Sequence, residues 1–144
     1  HTGRSLMDFY GQLYGVSPDD RKRKIPEALE LVGIAGRMNS KIKTYSKGMK
    51  QRLCLAKTLL HDPELLILDE PAAGLDPRAR VELRELVRSL AKLGKAVLIS
   101  SHILTELSEL CDEVAILERG RLRALRDALG DALDAGRDQR LDLL

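Results

Sequence analysis

Apolar positions recur at helical spacing over the first sixty residues and then contract into short, strand-like runs. Leu6, Phe9, Tyr10 and Leu13 lie three and four apart, which predicts a helix over residues 6–14. Ser17 and Pro18 open a second helix. The hydroxyl suits an N-cap, proline suits the first helical position, and Asp19 and Asp20 favour the positive end of the dipole. Its apolar stripe is Ile25, Ala28, Leu29 and Val32; Pro26 is expected to kink or break it, and Gly33 stops it. A loop rich in Gly, Asn and Lys then leads through Tyr45, Ser46, Lys47 and Gly48 into a third helix over about residues 49–60. Leu53, Ala56, Leu59 and Leu60 form its inward stripe.

Beyond Asp62 and Pro63 the pattern alternates. Runs at 65–69, 96–100 and 113–117 predict strands, and helices fall over about 77–93, closed by Gly94, and 103–110. Strands separated by helices predict an α/β fold with a parallel sheet and right-handed crossovers. Arg119 and Gly120 suit a tight turn, residues 121–125 an edge strand, and Leu125, Leu129 and Leu133 a terminal helix. The last residues, GRDQRLDLL, read as a frayed or truncated end. The chain therefore divides near residue 62 into a mainly helical, basic front part (1–62) and an α/β rear part (63–144), without internal repeats.

Composition narrows the classes. At 144 residues, 44% hydrophobic and 32% charged, the chain suits one globular domain or part of a larger one. No apolar run approaches the roughly 20 residues of a membrane-spanning helix and no signal peptide opens the sequence, so a membrane role would run through a partner. The first residue is His1 rather than Met, as expected of a segment of a longer translation. Net charge is +2 but uneven: no acid falls between Glu30 and Asp62, where Arg37, Lys41, Lys43, Lys47, Lys50, Arg52 and Lys57 cluster. Aromatics are 3% with no Trp, so stacking platforms for single-stranded nucleic acid are missing. If the basic run meets phosphate, a nucleotide fits better than DNA or RNA, and no nucleic-acid partner is expected. The RKRK patch at 21–24 is expected to be a solvated helix face. Cys54 and Cys111 lack metal or redox spacing and are expected as reduced, buried thiols; the three histidines show no metal-ligand spacing either.

Four places carry candidate chemistry. The apolar strand LLILDEP ends in Asp69 and Glu70. Such acids can cap a strand or helix. At the carboxyl end of a buried strand they can also bind Mg²⁺ (Asp69) and polarise a water that attacks a γ-phosphate (Glu70). Ser46 and Gly48 precede a helix, where exposed N–H groups and the dipole make an anion site; an ordinary N-cap explains them equally well. His102 follows the strand AVLIS and is either a structural histidine or a group on the ligand-binding edge of the sheet, able to hydrogen-bond a phosphate oxygen or the attacking water. Asp76 in AAGLDP would lie on that edge too, although Asp before Pro is also a helix-entry device.

Taken together, these elements resemble the ATP-binding subunit of ABC transporters. YSKGMKQRL resembles the family signature, LLILDEP the Walker B strand with its catalytic glutamate, AAGLDP the D-loop and SSH the switch histidine, in the family's order and spacing over about residues 6–125. The resemblance implies the C-terminal part of an ABC-type P-loop ATPase domain: the helical subdomain plus part of a parallel-sheet, RecA-like core. It implies ATP and Mg²⁺ as cofactors, with Asp69 serving the metal, Glu70 as general base and His102 as γ-phosphate sensor. Ser46, Lys47, Gly48 and Met49 would face ATP held by the opposite subunit of a head-to-tail dimer, and Asp76 would couple the two sites. The other implied partner is a transmembrane permease subunit, with the protein peripheral on the cytoplasmic face of the membrane. Where the usual signature reads Ser-Gly-Gly-Gln, Lys47 and Met49 stand here, as in an export-type subgroup.

Three family elements are missing. No G-x-x-x-x-G-K-[ST] loop occurs, and the adenine-stacking aromatic and Q-loop glutamine are also absent, all of which precede the helical subdomain in the family. Truncation is the expected explanation, and the segment alone is expected to hydrolyse no ATP. The alternatives are a non-transport ATPase of the same superfamily, disfavoured by Ala73-Gly74-Leu75-Asp76 and by Pro71, and a non-hydrolysing remnant that only donates its signature to a partner's ATP.

Overall fold

The computed structural model describes residues 1–127, in two compact units: His1–Ser100, and a second that begins at Ser101. In chain order the elements are α1 (Gly3–Leu13), α2 (Pro18–Leu31), two single 3₁₀ turns (Ala35–Arg37 and Ile42–Thr44), α3 (Lys47–Leu59), β1 (Leu65–Asp69), α4 (Pro77–Lys92) and β2 (Ala96–Ser100). The second unit holds α5 (Leu104–Leu110), β3 (Glu113–Glu118) and β4 (Arg121–Asp127).

In the first unit α1, α2 and α3 pack on one another, and α4 covers β2. Helix α1 begins at a capping box that the apolar pattern did not reveal. Thr2 Oγ1 accepts from the Ser5 N–H and Ser5 Oγ accepts from the Thr2 N–H. Its buried face is the expected one only in part: Leu6 packs against the core and Tyr10 is half-buried. Met7 is fully buried between Gly3 and Gly11, whereas Phe9 and Leu13 are exposed. The two glycines let α1 press against Tyr45 and against the Arg21 side chain, where a larger residue would collide. Close backbone approach thus overrides the aromatic stripe in choosing the core face.

Helix α2 opens as expected, with Ser17 Oγ accepting from the Asp20 N–H, and it buries Ile25, Ala28 and Leu29 with Val32 at its C-cap. It runs through Pro26 without breaking. The burial on both sides of the proline outweighs the one helical hydrogen bond that it cannot make. The RKRK patch is laced rather than merely solvated: Lys22 pairs with Asp19, and Arg23 with Asp20 and Glu27. Arg21, only 14% exposed, reaches across to Asp8 on α1 at 2.8 Å. That hydrogen bond holds the Asp8 carboxyl below its ordinary range.

Strands β1 and β2 pair in parallel, Leu65 opposite Ala96 through to Asp69 opposite Ser100. Side chains pin both ends of this register. Lys95 pairs with Asp62 before the strands begin, and Ser100 bonds Asp69 where they end. Helix α4 joins the two strands and buries Leu83, Leu86, Val87 and Leu90. The core does not stop near residue 62: one cluster of buried residues runs from Met7, Leu29 and Leu60 to Leu66, Leu86 and Leu90. On the other face of the sheet Leu65, Ile67 and Leu98 are exposed.

The second unit holds the expected tight turn and edge strand, but its strand at 113–118, expected in the parallel sheet, pairs otherwise. β3 turns through Arg119 and Gly120 and pairs with β4 as an antiparallel hairpin, with a register shift at Ile116/Leu117. A two-residue connection permits only this pairing, since a parallel return needs a crossover of a dozen or more residues. Leu125 lies in β4; the expected terminal helix through Leu129 and Leu133, and the frayed end, fall outside the described residues. Cys111 is half-buried, but Cys54, expected to be buried, is exposed, because Leu53, Leu55 and Ala56 occupy the core side of α3. No helix of the described residues is long and apolar enough to cross a membrane.

Candidate functional site

Ser46 is the N-cap of α3, its hydroxyl oxygen accepting from the Met49 N–H at 3.2 Å. The cap satisfies one of the first-turn donors. The N–H groups of Lys47 and Gly48, in the same turn, have no carbonyl four residues back and sit at the positive end of the dipole. The N-cap and the anion-site readings of this motif are therefore compatible: the cap sets the direction in which the remaining donors lie.

Asp76 caps α4 in the same manner, accepting from the Ala79 N–H at 2.9 Å, with Pro77 at the first helical position. The two helix starts come together. Ser46, Lys47, Gly48 and Met49 line one cleft of about 380 Å³ with Gly74, Leu75 and Asp76. A Cβ on Gly48 would lie 3.5 Å from Ala79 Cβ, so the signature turn rests against the first turn of α4. Gly74 has φ +66, a conformation that L side chains rarely adopt, and the Lys47 side chain lies across it.

Arg52, from the signature stretch itself, and Arg37, Arg78 and Glu82, outside the sequence motifs, complete the cleft. Arg52 pairs with Glu82 and also donates to the Val32 carbonyl at 3.5 Å, while Arg78 Nε meets Glu82 at 3.1 Å. Glu82 thus compensates two of the four cations around the cleft, Arg52 and Arg78. The basic run between Glu30 and Asp62 does not act as one face. Arg37, Lys47 and Arg52 serve this cleft, while Lys57 sits 4.4 Å over the Tyr10 ring. Spacing along one element could not find Glu82, which meets Arg52 only because α3 and α4 pack together.

The acids of LLILDEP form a second group at the carboxyl end of β1. Ser100 Oγ donates to Asp69 Oδ1 at 2.5 Å and accepts from the Glu70 N–H at 2.9 Å. Glu70 itself has φ +45, a left-handed conformation that costs a non-glycine residue on the order of 1 kcal/mol. The next residues form a tight turn, with the Ala73 N–H donating to the Glu70 carbonyl at 3.0 Å and buried Pro71 behind it. Ser100 was not among the sequence-derived candidates. The signal lay in the equal five-residue lengths of the two strands, which set Ser100 opposite Asp69.

His102 belongs to the second unit, where it is exposed; beside it Ser101 Oγ accepts from the Ile103 N–H at 3.1 Å.

Among the described residues no three His, Cys, Asp or Glu side chains gather into a metal cage. A lone carboxylate at Asp69, with one oxygen already held by Ser100, suits Mg²⁺, which keeps most of its waters and takes one or two carboxylates plus phosphate oxygens. First-turn N–H groups beside a lysine suit a phosphate.

The ABC transporter family model matches residues 4–73. The uncharacterized ABC transporter ATP-binding protein YhcH of Bacillus subtilis (strain 168) is 45% identical over 132 residues, 91% of this chain and 42% of that protein. The linearmycin resistance ATP-binding protein LnrL of the same organism is 39% identical over 124 residues, 86% of this chain and 40% of that protein. The Nod factor export ATP-binding protein I of Rhizobium johnstonii is 42% identical over 120 residues, 83% of this chain and 39% of that protein.

The chain is similar to ABC transporter ATP-binding proteins over most of its length, and it spans about two fifths of the length of the curated relatives it matches.

Proposed function

We propose that the protein couples ATP hydrolysis to the movement of a substrate across a membrane, as the ATPase subunit of an ABC transporter. The observation that carries this reading is the single cleft shared by Ser46, Lys47, Gly48 and Met49 with Gly74 and Asp76. In a head-to-tail dimer this cleft faces ATP bound by the opposite subunit. The first-turn N–H groups and the Lys47 ammonium then meet its γ-phosphate. Asp76 caps the adjoining helix and carries contact from one site to the other.

Asp69 and Glu70 act within their own subunit. Asp69 presents an oxygen to Mg²⁺, which when bound neutralises charge on the transferring phosphoryl group. Glu70 takes a proton from the attacking water, and His102 hydrogen-bonds the γ-phosphate. Residues 1–62 serve as the helical subdomain that meets a transmembrane permease subunit on the cytoplasmic face, and residues 63–144 as part of the RecA-like core. Export is the favoured direction, supported by the Ser-Lys-Gly-Met signature and by the similarity to the Nod factor export ATP-binding protein I. The chain contains no phosphate-cradling loop of its own, so by itself it is proposed to be inactive.

The test is steady-state ATP hydrolysis by the full-length gene product. Glu70→Gln should lower turnover about 100-fold or more while the protein still binds ATP. Retention of wild-type turnover would sink the assignment.

A further inference from the structure

Two parallel strands of equal length end side by side, and their last residues are Asp69 and Ser100. The Ser100 hydroxyl has one proton and two lone pairs. It gives the proton to Asp69 Oδ1 at 2.5 Å, within the short range of charge-assisted O–H···O⁻ bonds, and it receives the Glu70 N–H at 2.9 Å. One side chain thereby holds both the carboxylate and the peptide that joins it to Glu70. The peptide needs a hold, because Glu70 sits in the left-handed region at φ +45.

We propose that Ser100 is a positioning residue for the metal contact of Asp69 and for the placement of Glu70. Occupying Oδ1 fixes the plane of the carboxylate and leaves Oδ2 as the oxygen presented to Mg²⁺. Partners of metal-binding carboxylates typically alter metal affinity or activity by about 10–100-fold when removed. Ser100 and Asp69 are both exposed, so their bond adds little to folding, and its effect falls on carboxylate geometry. The inference rests on the ATPase reading above and assigns a function to a residue outside the motif histidine.

The experiment measures Mn²⁺ affinity by electron paramagnetic resonance, using the full-length gene product saturated with a non-hydrolysable ATP analogue. Ser100→Ala should weaken Mn²⁺ binding about 10-fold, and Ser100→Thr, which keeps the hydroxyl, should stay within about twofold of wild type. Turnover measured separately should fall in the alanine variant and recover in the threonine variant. Wild-type Mn²⁺ affinity in Ser100→Ala, or failure of threonine to restore it, overturns the inference. Asp69→Asn separates the two levels. If it weakens Mn²⁺ binding while Ser100→Ala does not, only the Ser100 inference fails; if Asp69→Asn leaves binding unchanged, the underlying assignment fails as well. Should the alanine variant not fold, Ser100→Cys, a weaker donor, should fall between wild type and a tenfold loss, and wild-type affinity there also overturns the inference.

Discussion

The Lys47 side chain lies across Gly74, its ammonium filling the space that a side chain at residue 74 would occupy. The first turn of α3 and the loop before α4 are therefore one assembly. A substitution at Gly74 meets two obstacles of unequal weight. The flexible Lys47 tip moves aside cheaply, whereas φ +66 penalises any Cβ. Gly74→Ala should destabilise the fold by about 1 kcal/mol, and Lys47→Ala in the same chain should recover little of it. Thermal melts of the single and double variants check this; full recovery in the double variant would mean that the clash, not the backbone, dominates.

Arg52 ties three elements together through Glu82 on α4 and the Val32 carbonyl at the end of α2. The Glu82 side chain is 41% exposed, so solvent screens the pair and the loss in Arg52→Ala should be only about 1 kcal/mol. Arg52→Lys should recover less than half, since an ammonium cannot fork between the two acceptors. Urea titration of the three proteins tests the order.

Two carboxylates predict the acid limb of stability. The Arg21 hydrogen bond lowers Asp8, and the Lys95 hydrogen bond lowers Asp62, both from an ordinary value of 3.8. A carboxylate lowered by folding contributes stability that is fully present above 3.8 and is lost as pH falls through the lowered value. The double variant Asp8→Asn with Asp62→Asn should melt lower than wild type near neutral pH. Its melting temperature should then drop less than that of wild type between about pH 5 and 2.5. Parallel curves would contradict the assignment.

Leu60 is fully buried in the cluster that joins the helical layer to β1 and α4. Leu60→Ala should cost about 3 kcal/mol. Because the core is continuous, the helices and the β1–β2 sheet should still unfold together. Circular dichroism at helix- and strand-sensitive wavelengths should give one shared midpoint; separated midpoints would indicate a seam near residue 62.

Most element identities were legible because they depend on neighbours in sequence. Ser17 before Pro18, Asp76 before Pro77 and the five-residue apolar runs were sufficient for α2, α4, β1 and β2. The misreadings came where packing chose between local options. Gly3 and Gly11, not Phe9 and Leu13, mark the buried side of α1, because close approach to Tyr45 and Arg21 requires the absence of a side chain. Pro26 stays inside its helix because Ile25, Ala28 and Leu29 are held from outside it.

By itself the sequence placed the candidate chemistry: a capped, glycine-bearing helix start at Ser46, an acid pair at the end of an apolar strand, and an order of motifs that resembles an ABC-type domain. These are properties of residue type and spacing, carried by a few consecutive positions. Only the tertiary structure decided that Lys47 lies on Gly74, that Glu82 neutralises Arg52, and that Ser100 holds Asp69 and Glu70 together. Those contacts join residues about 30 positions apart, and their geometry depends on strand register and helix packing, which no local pattern encodes.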